Sequence, residues 1–241
     1  MIKEKIKKSL SQNFIKDQNI CEKIVNLITI KNNFIIEIGP GYGYLTDFIL
    51  KKSPKKLILI EKDIKLYEYL LEKYKNVKNI YILNEDVMNY NFYNHKDYKI
   101  ISNLPYNISS KIILKLLKLS NNISEIVVMI QKEVALKFDY KIKKPNKYKF
   151  ITKISAEYSR CFDVSANVFI PKPKVKSTVV KFILKKSKIN WKKLTEFNTL
   201  IFKNKRKKIY NNLKITNKNN LYNKRVEELS FNELLTIYNS F

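Results

Sequence analysis

Asn103-Leu104-Pro105-Tyr106 sets an amide, an N–H-less proline and an aromatic ring side by side in four consecutive residues. Together these groups suit one task, handling the exocyclic amine of a nucleobase. Such an amine is a poor nucleophile because its lone pair is delocalised into the ring. The Asn103 amide oxygen and a backbone carbonyl beside Pro105 can accept both amine hydrogens and turn the lone pair toward an electrophile, while Tyr106 stacks on the base. The device works by positioning and needs no tuned general base. That suits a chain with a single histidine, His95, which sits in an Asn- and Lys-rich stretch. Taken alone, the same four residues also describe a helix entry, with Asn as a cap and Pro nearby. Polar residues at the ends of three other apolar runs favour the chemical reading.

The first of those residues are the glycines. All three in the chain fall in Glu37-Ile38-Gly39-Pro40-Gly41-Tyr42-Gly43. Phe34–Ile38 before them reads as a buried strand and Tyr44–Leu50 after them as a helix start, so the motif is a nucleotide-cofactor turn. Tyr44 stands where the third glycine of G-x-G-x-x-G is expected, which weakens a pyrophosphate-binding NAD reading. S-adenosylmethionine has no pyrophosphate, and the G-x-G-x-G spacing behind Glu37 suits a methionine moiety and a ribose. On that reading Gly39, Gly41 and Gly43 form the floor on the methionine side. Glu61, 18 positions past Gly43, is placed to accept the ribose hydroxyls. Asp86 can accept a hydrogen bond from the amino group of the cofactor adenine.

Apolar periodicity shows which elements must carry these residues. Leu57–Ile60 reads as a strand ending at Glu61, Ile80–Leu83 as one ending at Asn84-Glu85-Asp86, and Tyr98–Ser102 as one ending at Asn103. Ile126–Ile130 is a fifth strand. Helices are expected over 19–29, through Leu66 and Leu70, through Ile112–Leu117, over 131–138 and over 148–159. Segments 162–168 and 178–184 read as a closing hairpin around the loop 169–173. The alternation specifies an α/β, Rossmann-like, largely parallel sheet with helices on both faces. From Trp191 onward the pattern is helical and lysine-rich. The expected organisation is a catalytic domain over 1–185 and a small basic helical domain over 186–241.

Composition narrows the function further. The net charge is +27, which favours a polyanionic partner such as RNA or DNA. All but three of the 48 basic residues are lysine, and Asn, Ile and Tyr are also abundant. AT-rich codons therefore account for part of the excess, and the informative signal is where the charge clusters. Residues 141–153 hold six lysines and no acid, and residues 186–241 hold thirteen Lys or Arg against four Glu. Lys141, Lys143, Lys144, Lys147, Arg206, Lys207 and Lys208 are the candidate RNA contacts. Two isolated cysteines, Cys21 and Cys161, make neither a disulfide framework nor a zinc site, so no metal is expected and a reducing, cytoplasmic setting is. No apolar run approaches a membrane span, and the basic N-terminus lacks the apolar core of a signal peptide.

These motifs make the chain resemble the small-subunit rRNA adenine dimethyltransferases of the KsgA type, a family that also includes the erythromycin-resistance methylases of the large subunit. The resemblance covers most of residues 8–185. It is carried by Ser11–Phe14, Glu37–Thr46, Glu61, Asp86, Asn103–Ser109, Gln131–Ala135 and Phe169–Val175. It implies that Asn13, the Ile15 backbone, Gly39, Glu61, Asp86 and Asn103 contact S-adenosylmethionine. It further implies that Asn103–Tyr106, with Phe169, hold a target adenine flipped out of its stack. The implied partner is small-subunit rRNA in the immature subunit, met by a monomer. Glu85, for the family's usual Gly or Gln, and Lys176, for its usual Asp, depart from the pattern. Asn-Leu-Pro-Tyr and the basic segment Arg206–Leu213 favour the small-subunit branch over the resistance methylases. The intact Glu61, Asp86 and Asn103 argue against a non-catalytic assembly or transcription factor on the same fold.

Overall fold

The computed structural model describes residues 13–94, 96–142, 144–186, 188–216 and 220–241. Two short strands, β1 (Phe14–Ile15) and β8 (Phe169–Ile170), pair antiparallel, with Ile15 opposite Phe169. The main sheet holds β2 (Phe34–Ile38), β3 (Lys56–Glu61), β4 (Ile80–Asn84), β5 (Tyr98–Asn103), β6 (Ile123–Gln131), β7 (Ala156–Val164) and β9 (Ser177–Leu184). Their spatial order is β4-β3-β2-β5-β6-β9-β7. The first five are parallel, and β9 and β7 close the sheet antiparallel. The chain runs outward through β2, β3 and β4 and then returns to lay β5 on the other side of β2. The carboxyl ends of β2 and β5 therefore flank the point where the strand order reverses, the place where open α/β sheets bind ligands.

Side-chain alternation divides each inner strand between two apolar layers. Ile36, Ile58, Ile60, Ile100, Ile126 and Val128 face α4 (Ser109–Leu117) and α5 (Lys132–Phe138). Ile35, Leu57, Leu59, Ile101, Val127 and Met129 face α1 (Gln18–Val25), α2 (Tyr44–Lys51) and α3 (Ile64–Lys73). A third apolar cluster joins α7 (Trp191–Lys203) and α9 (Phe231–Ser240), with Ile209 of α8 (Ile209–Leu213). Phe150 of α6 (Lys147–Ser155) enters this cluster, its ring 5.5 Å from that of Phe197. No helix among the described residues is long and apolar enough to cross a membrane.

Element boundaries differ from the sequence reading in three places. The first strand of the closing hairpin, expected over 162–168, runs over Ala156–Val164; Ala166–Val168 form a single 3-10 turn, and Phe169–Ile170 of the expected loop pair with β1. The helix expected over 148–159 stops at Ser155, and β7 begins at Ala156. From there the burial alternates, with Ala156 and Tyr158 inside and Glu157 and Ser159 outside. The ladder with β9 and a 2.7 Å hydrogen bond from the Tyr158 hydroxyl to the Ala135 carbonyl hold that period of two. The helix expected over 19–29 spans Gln18–Val25, started by the Asp17 carboxylate accepting from the Ile20 N–H at 3.0 Å.

Candidate active site

A cavity of about 290 Å³ opens at the carboxyl ends of β2 to β5. Its wall brings together Asn13, Ile15, Gly39, Gly41, Glu61, Asp86 and the whole Asn103–Tyr106 segment. Gly43 and Phe169 are not on that wall. Phe169 is 2% exposed and sits in the apolar layer beside Ile15. Ser11 and Gln12 of the N-terminal motif lie outside the described residues, as do Lys143 and His95.

The three glycines all adopt left-handed φ, at 63°, 61° and 76°, and each for its own reason. A Cβ on Gly39 would meet no protein atom within 4 Å, so the space above it belongs to the cavity. A Cβ on Gly41 would lie 2.5 Å from the Phe14 ring. A Cβ on Gly43 would run into the Tyr74 hydroxyl. That hydroxyl lies 2.7 Å from Asp47 Oδ1 and 3.0 Å from the Gly43 carbonyl oxygen. The Lys73 ammonium donates to the Tyr42 carbonyl at 3.0 Å and to Asp47 at 2.8 Å. The turn is thus clamped from behind by α2 and α3. Phe14, Lys73 and Tyr74 are not visible in local sequence, because each lies about 30 residues from the glycine turn.

Four acidic residues, Glu37, Glu61, Glu85 and Asp86, line the cavity, and the carboxylates of Glu37, Glu61 and Asp86 are already engaged. Glu61 accepts the Gly41 N–H at 3.2 Å on Oε2 and the Asp63 N–H at 2.8 Å on Oε1. Burial pushes its pKa up, and those two backbone donors oppose the rise. Asp86 accepts the Lys62 ammonium and the Met88 N–H, both at 2.8 Å, and Lys62 above all lowers its pKa. Glu37 is 2% exposed and accepts the Thr46 hydroxyl at 2.6 Å. Burial pushes it up to about 8. Cys21, behind it, is pushed up to about 12, first by burial and then by Glu37, so its thiol stays neutral.

The Asn103 side is built differently. Its Nδ2 donates to the Asn13 carbonyl at 2.7 Å. A carbonyl oxygen accepts but cannot donate, so this contact settles which end of the amide faces inward. Oδ1 is left buried without a hydrogen-bond partner. The next residue is anchored through the Leu104 N–H to the Met129 carbonyl at 3.1 Å. Tyr106 is half-buried, its hydroxyl 2.6 Å from Ser177 Oγ at the start of β9. The whole segment lines one wall of the cavity, and within it the Asn103 Oδ1 acceptor is unmet.

The basic residues lie elsewhere on the surface. Lys141 and Lys144 are exposed on the loop between α5 and α6, Lys147 is exposed at the start of α6, and Arg206–Lys208 are exposed between α7 and α8. Lys149 of the same cluster is 5% exposed, and its ammonium donates to the Ile142 and Lys144 carbonyls at 3.0 and 3.2 Å. It organises the loop that carries its neighbours. Among the described residues no group of three or more His, Cys, Asp or Glu is placed to hold a metal ion.

The family described as ribosomal RNA adenine dimethylase matches residues 3–241. The chain belongs to that family. It is 45% identical over 215 residues to the ribosomal RNA small subunit methyltransferase A of Malacoplasma penetrans, covering 86% of this chain and 77% of that one. It is 38% identical over 251 residues to the Borreliella burgdorferi protein of the same name, covering 97% and 88%. Among solved structures, a dimethyladenosine transferase from Plasmodium falciparum superposes with a TM-score of 0.79 at 24% identity, covering 94% of this chain and 98% of that one. The 23S rRNA methyltransferase ErmE superposes with a TM-score of 0.76 at 18% identity over the same shares. These two likenesses are likenesses of fold.

Proposed function

We propose that this dimethylase transfers methyl groups from S-adenosylmethionine to N6 of two adjacent adenosines in the 3′-terminal hairpin of small-subunit rRNA. The buried, unpartnered Asn103 Oδ1 carries the reading. A buried acceptor without a donor costs about 1–3 kcal/mol, and an adenine amine on the cavity wall supplies the missing N–H. The Leu104 carbonyl before Pro105 takes the second amine hydrogen, Tyr106 stacks on the ring, and the lone pair is released from conjugation. Positioning of this kind accounts for roughly 7–11 kcal/mol of barrier in well-oriented reactions. The nitrogen sheds its proton without a base, because a methylated adenine ammonium is strongly acidic.

The carboxylate wall fits the methyl donor. Glu61 retains lone pairs for two ribose hydroxyls, Asp86 for an adenine amine, and the open space at Gly39 admits the methionine portion. When bound, the donor supplies an electrophilic methyl on a sulfonium. Asn13 and the Ile15 backbone close the same wall. The exposed Lys141, Lys144, Lys147 and Arg206–Lys208 attract the RNA, with residues 1–185 carrying the chemistry and 186–241 selecting the substrate. The working form is a cytoplasmic monomer acting on the immature small subunit.

Primer extension on rRNA from cells lacking the protein tests this reading, since N6-dimethylation stops reverse transcriptase. Two adjacent stops near the 3′ end of small-subunit rRNA should vanish and return with the wild-type gene. Stops that persist, or that vanish from large-subunit rRNA instead, would refute it.

A further inference from the structure

The two lysines of α4 and Lys118 just past its end have different fates. Lys111 and Lys118 are exposed, whereas Lys115 lies half-buried against the chain that follows β4. Its ammonium donates to the carbonyls of Val87, Met88 and Tyr90, each at 2.8 Å. An ammonium has three N–H groups, and these three bonds use all of them. The side chain also passes over the buried Phe92 ring, 5.3 Å from its centroid.

The segment so held is a single turn. Asp86 opens it, its Oδ1 accepting the Met88 N–H at 2.8 Å and its carbonyl accepting from Asn89 and Tyr90 at 2.8 and 3.0 Å. The far end of a helical turn leaves carbonyls pointing outward with partial negative charge. Lys115 gathers three of them from a helix on the neighbouring strand connection. Asp86, Val87 and Met88 all face the cavity, so this contact fixes how that part of the wall stands relative to the sheet. Burial lowers the Lys115 pKa, and the attraction of Glu85 and Asp86 opposes the fall. Codon bias explains a lysine on α4 but not three carbonyls converging on it.

We propose that Lys115 is a positioning residue for the methyl-donor site. By pinning the 86–90 turn it holds Asp86 where its carboxylate reads the 6-amino group of the cofactor adenine, and so sets the enzyme's preference for adenine in its cofactor. This rests on the S-adenosylmethionine reading of the cavity.

The test is calorimetric titration of wild type, Lys115→Met and Lys115→Arg with two product analogues. One is S-adenosylhomocysteine. The other is S-inosylhomocysteine, in which oxygen replaces the purine 6-amine. Wild type should prefer the adenosyl form. Lys115→Met should bind it about tenfold more weakly, the size of one ordinary coupling between contacting groups, and bind the inosyl form within about twofold of wild type. The preference then collapses. Lys115→Arg, whose planar fork matches a tripod of carbonyls poorly, should fall between the two and serves if the Met variant does not fold. Unchanged affinity, or equal weakening for both analogues, would overturn the proposal. A wild type that binds neither analogue would instead overturn the cofactor reading beneath it.

Discussion

The two walls of the cavity are both buried and both polar, yet they are in opposite states. On the carboxylate wall, Glu61 takes backbone donors from Gly41 and Asp63, Asp86 takes Met88 and Lys62, and Glu37 takes Thr46. On the Asn103 wall an amide oxygen is held in place through its own nitrogen and then given nothing to bind. The first wall is shaped by the chain before any ligand arrives. The second keeps an unmet hydrogen bond for its ligand to complete. Under the proposed function, the first wall suits a small cofactor held by a rigid framework, and the second suits a ligand recognised by the N–H of its amine.

The largest effect is expected where the unmet acceptor is removed. Asn103→Ala should lower methyl transfer by about 10³-fold or more, as loss of a key positioned polar group does in other sites, while RNA binding by gel shift stays near wild type. Turnover retained with a tritiated methyl donor would erase the distinction between the walls. Gly43→Ala comes next, with a loss of about 3 kcal/mol in denaturant unfolding, from left-handed strain plus displacement of Tyr74. Gly39→Ala, strained equally but facing open space, should lose about 1–2 kcal/mol and act chiefly by raising the KM for the methyl donor. If Gly39→Ala leaves that KM unchanged, the cofactor does not occupy the carboxylate wall. Glu61→Gln should raise the same KM roughly tenfold, within the range for a hydrogen bond to a charged group, with kcat less affected.

The smallest effect concerns the proton on Glu37. Its pKa is about 8 in the folded protein against 4.5 for the free side chain. Between those values the folded state keeps a proton that the unfolded state gives up. Stability of the cofactor-free protein therefore falls as pH rises through this window, and Tm should be lower at pH 8.5 than at pH 5.5. Burial raises Glu61 in the same direction. Glu37→Gln should accordingly flatten most, though not all, of the slope in a thermal melt. An unaltered slope would place the buried proton elsewhere.

Legibility followed the range of the interactions. The glycine turn, Glu61, Asp86 and Asn103–Tyr106 could be read because each ends a strand, and strands announce themselves by apolar periodicity. The α6–β7 boundary could not, since Ile151, Ile154, Ala156 and Tyr158 fit both periods until β9 supplies a ladder. Lys149 belongs by composition to the lysine cluster of 141–153, yet its ammonium is spent on loop carbonyls. Phe169, which the resemblance assigns to the target adenine, lies in the apolar layer behind β1.

By itself the sequence determined the layered α/β fold, the site at the reversal of strand order and the chemistry its residue types permit, because propensity, patterning and motif spacing are local properties. Only the tertiary structure decided which of the three glycines line the cavity, which lysines are structural, and that Asn103 has an unmet acceptor. Those outcomes depend on groups such as Phe14, Tyr74, Lys115 and Asn13, which meet the site only once the chain has folded and water has been excluded from between them.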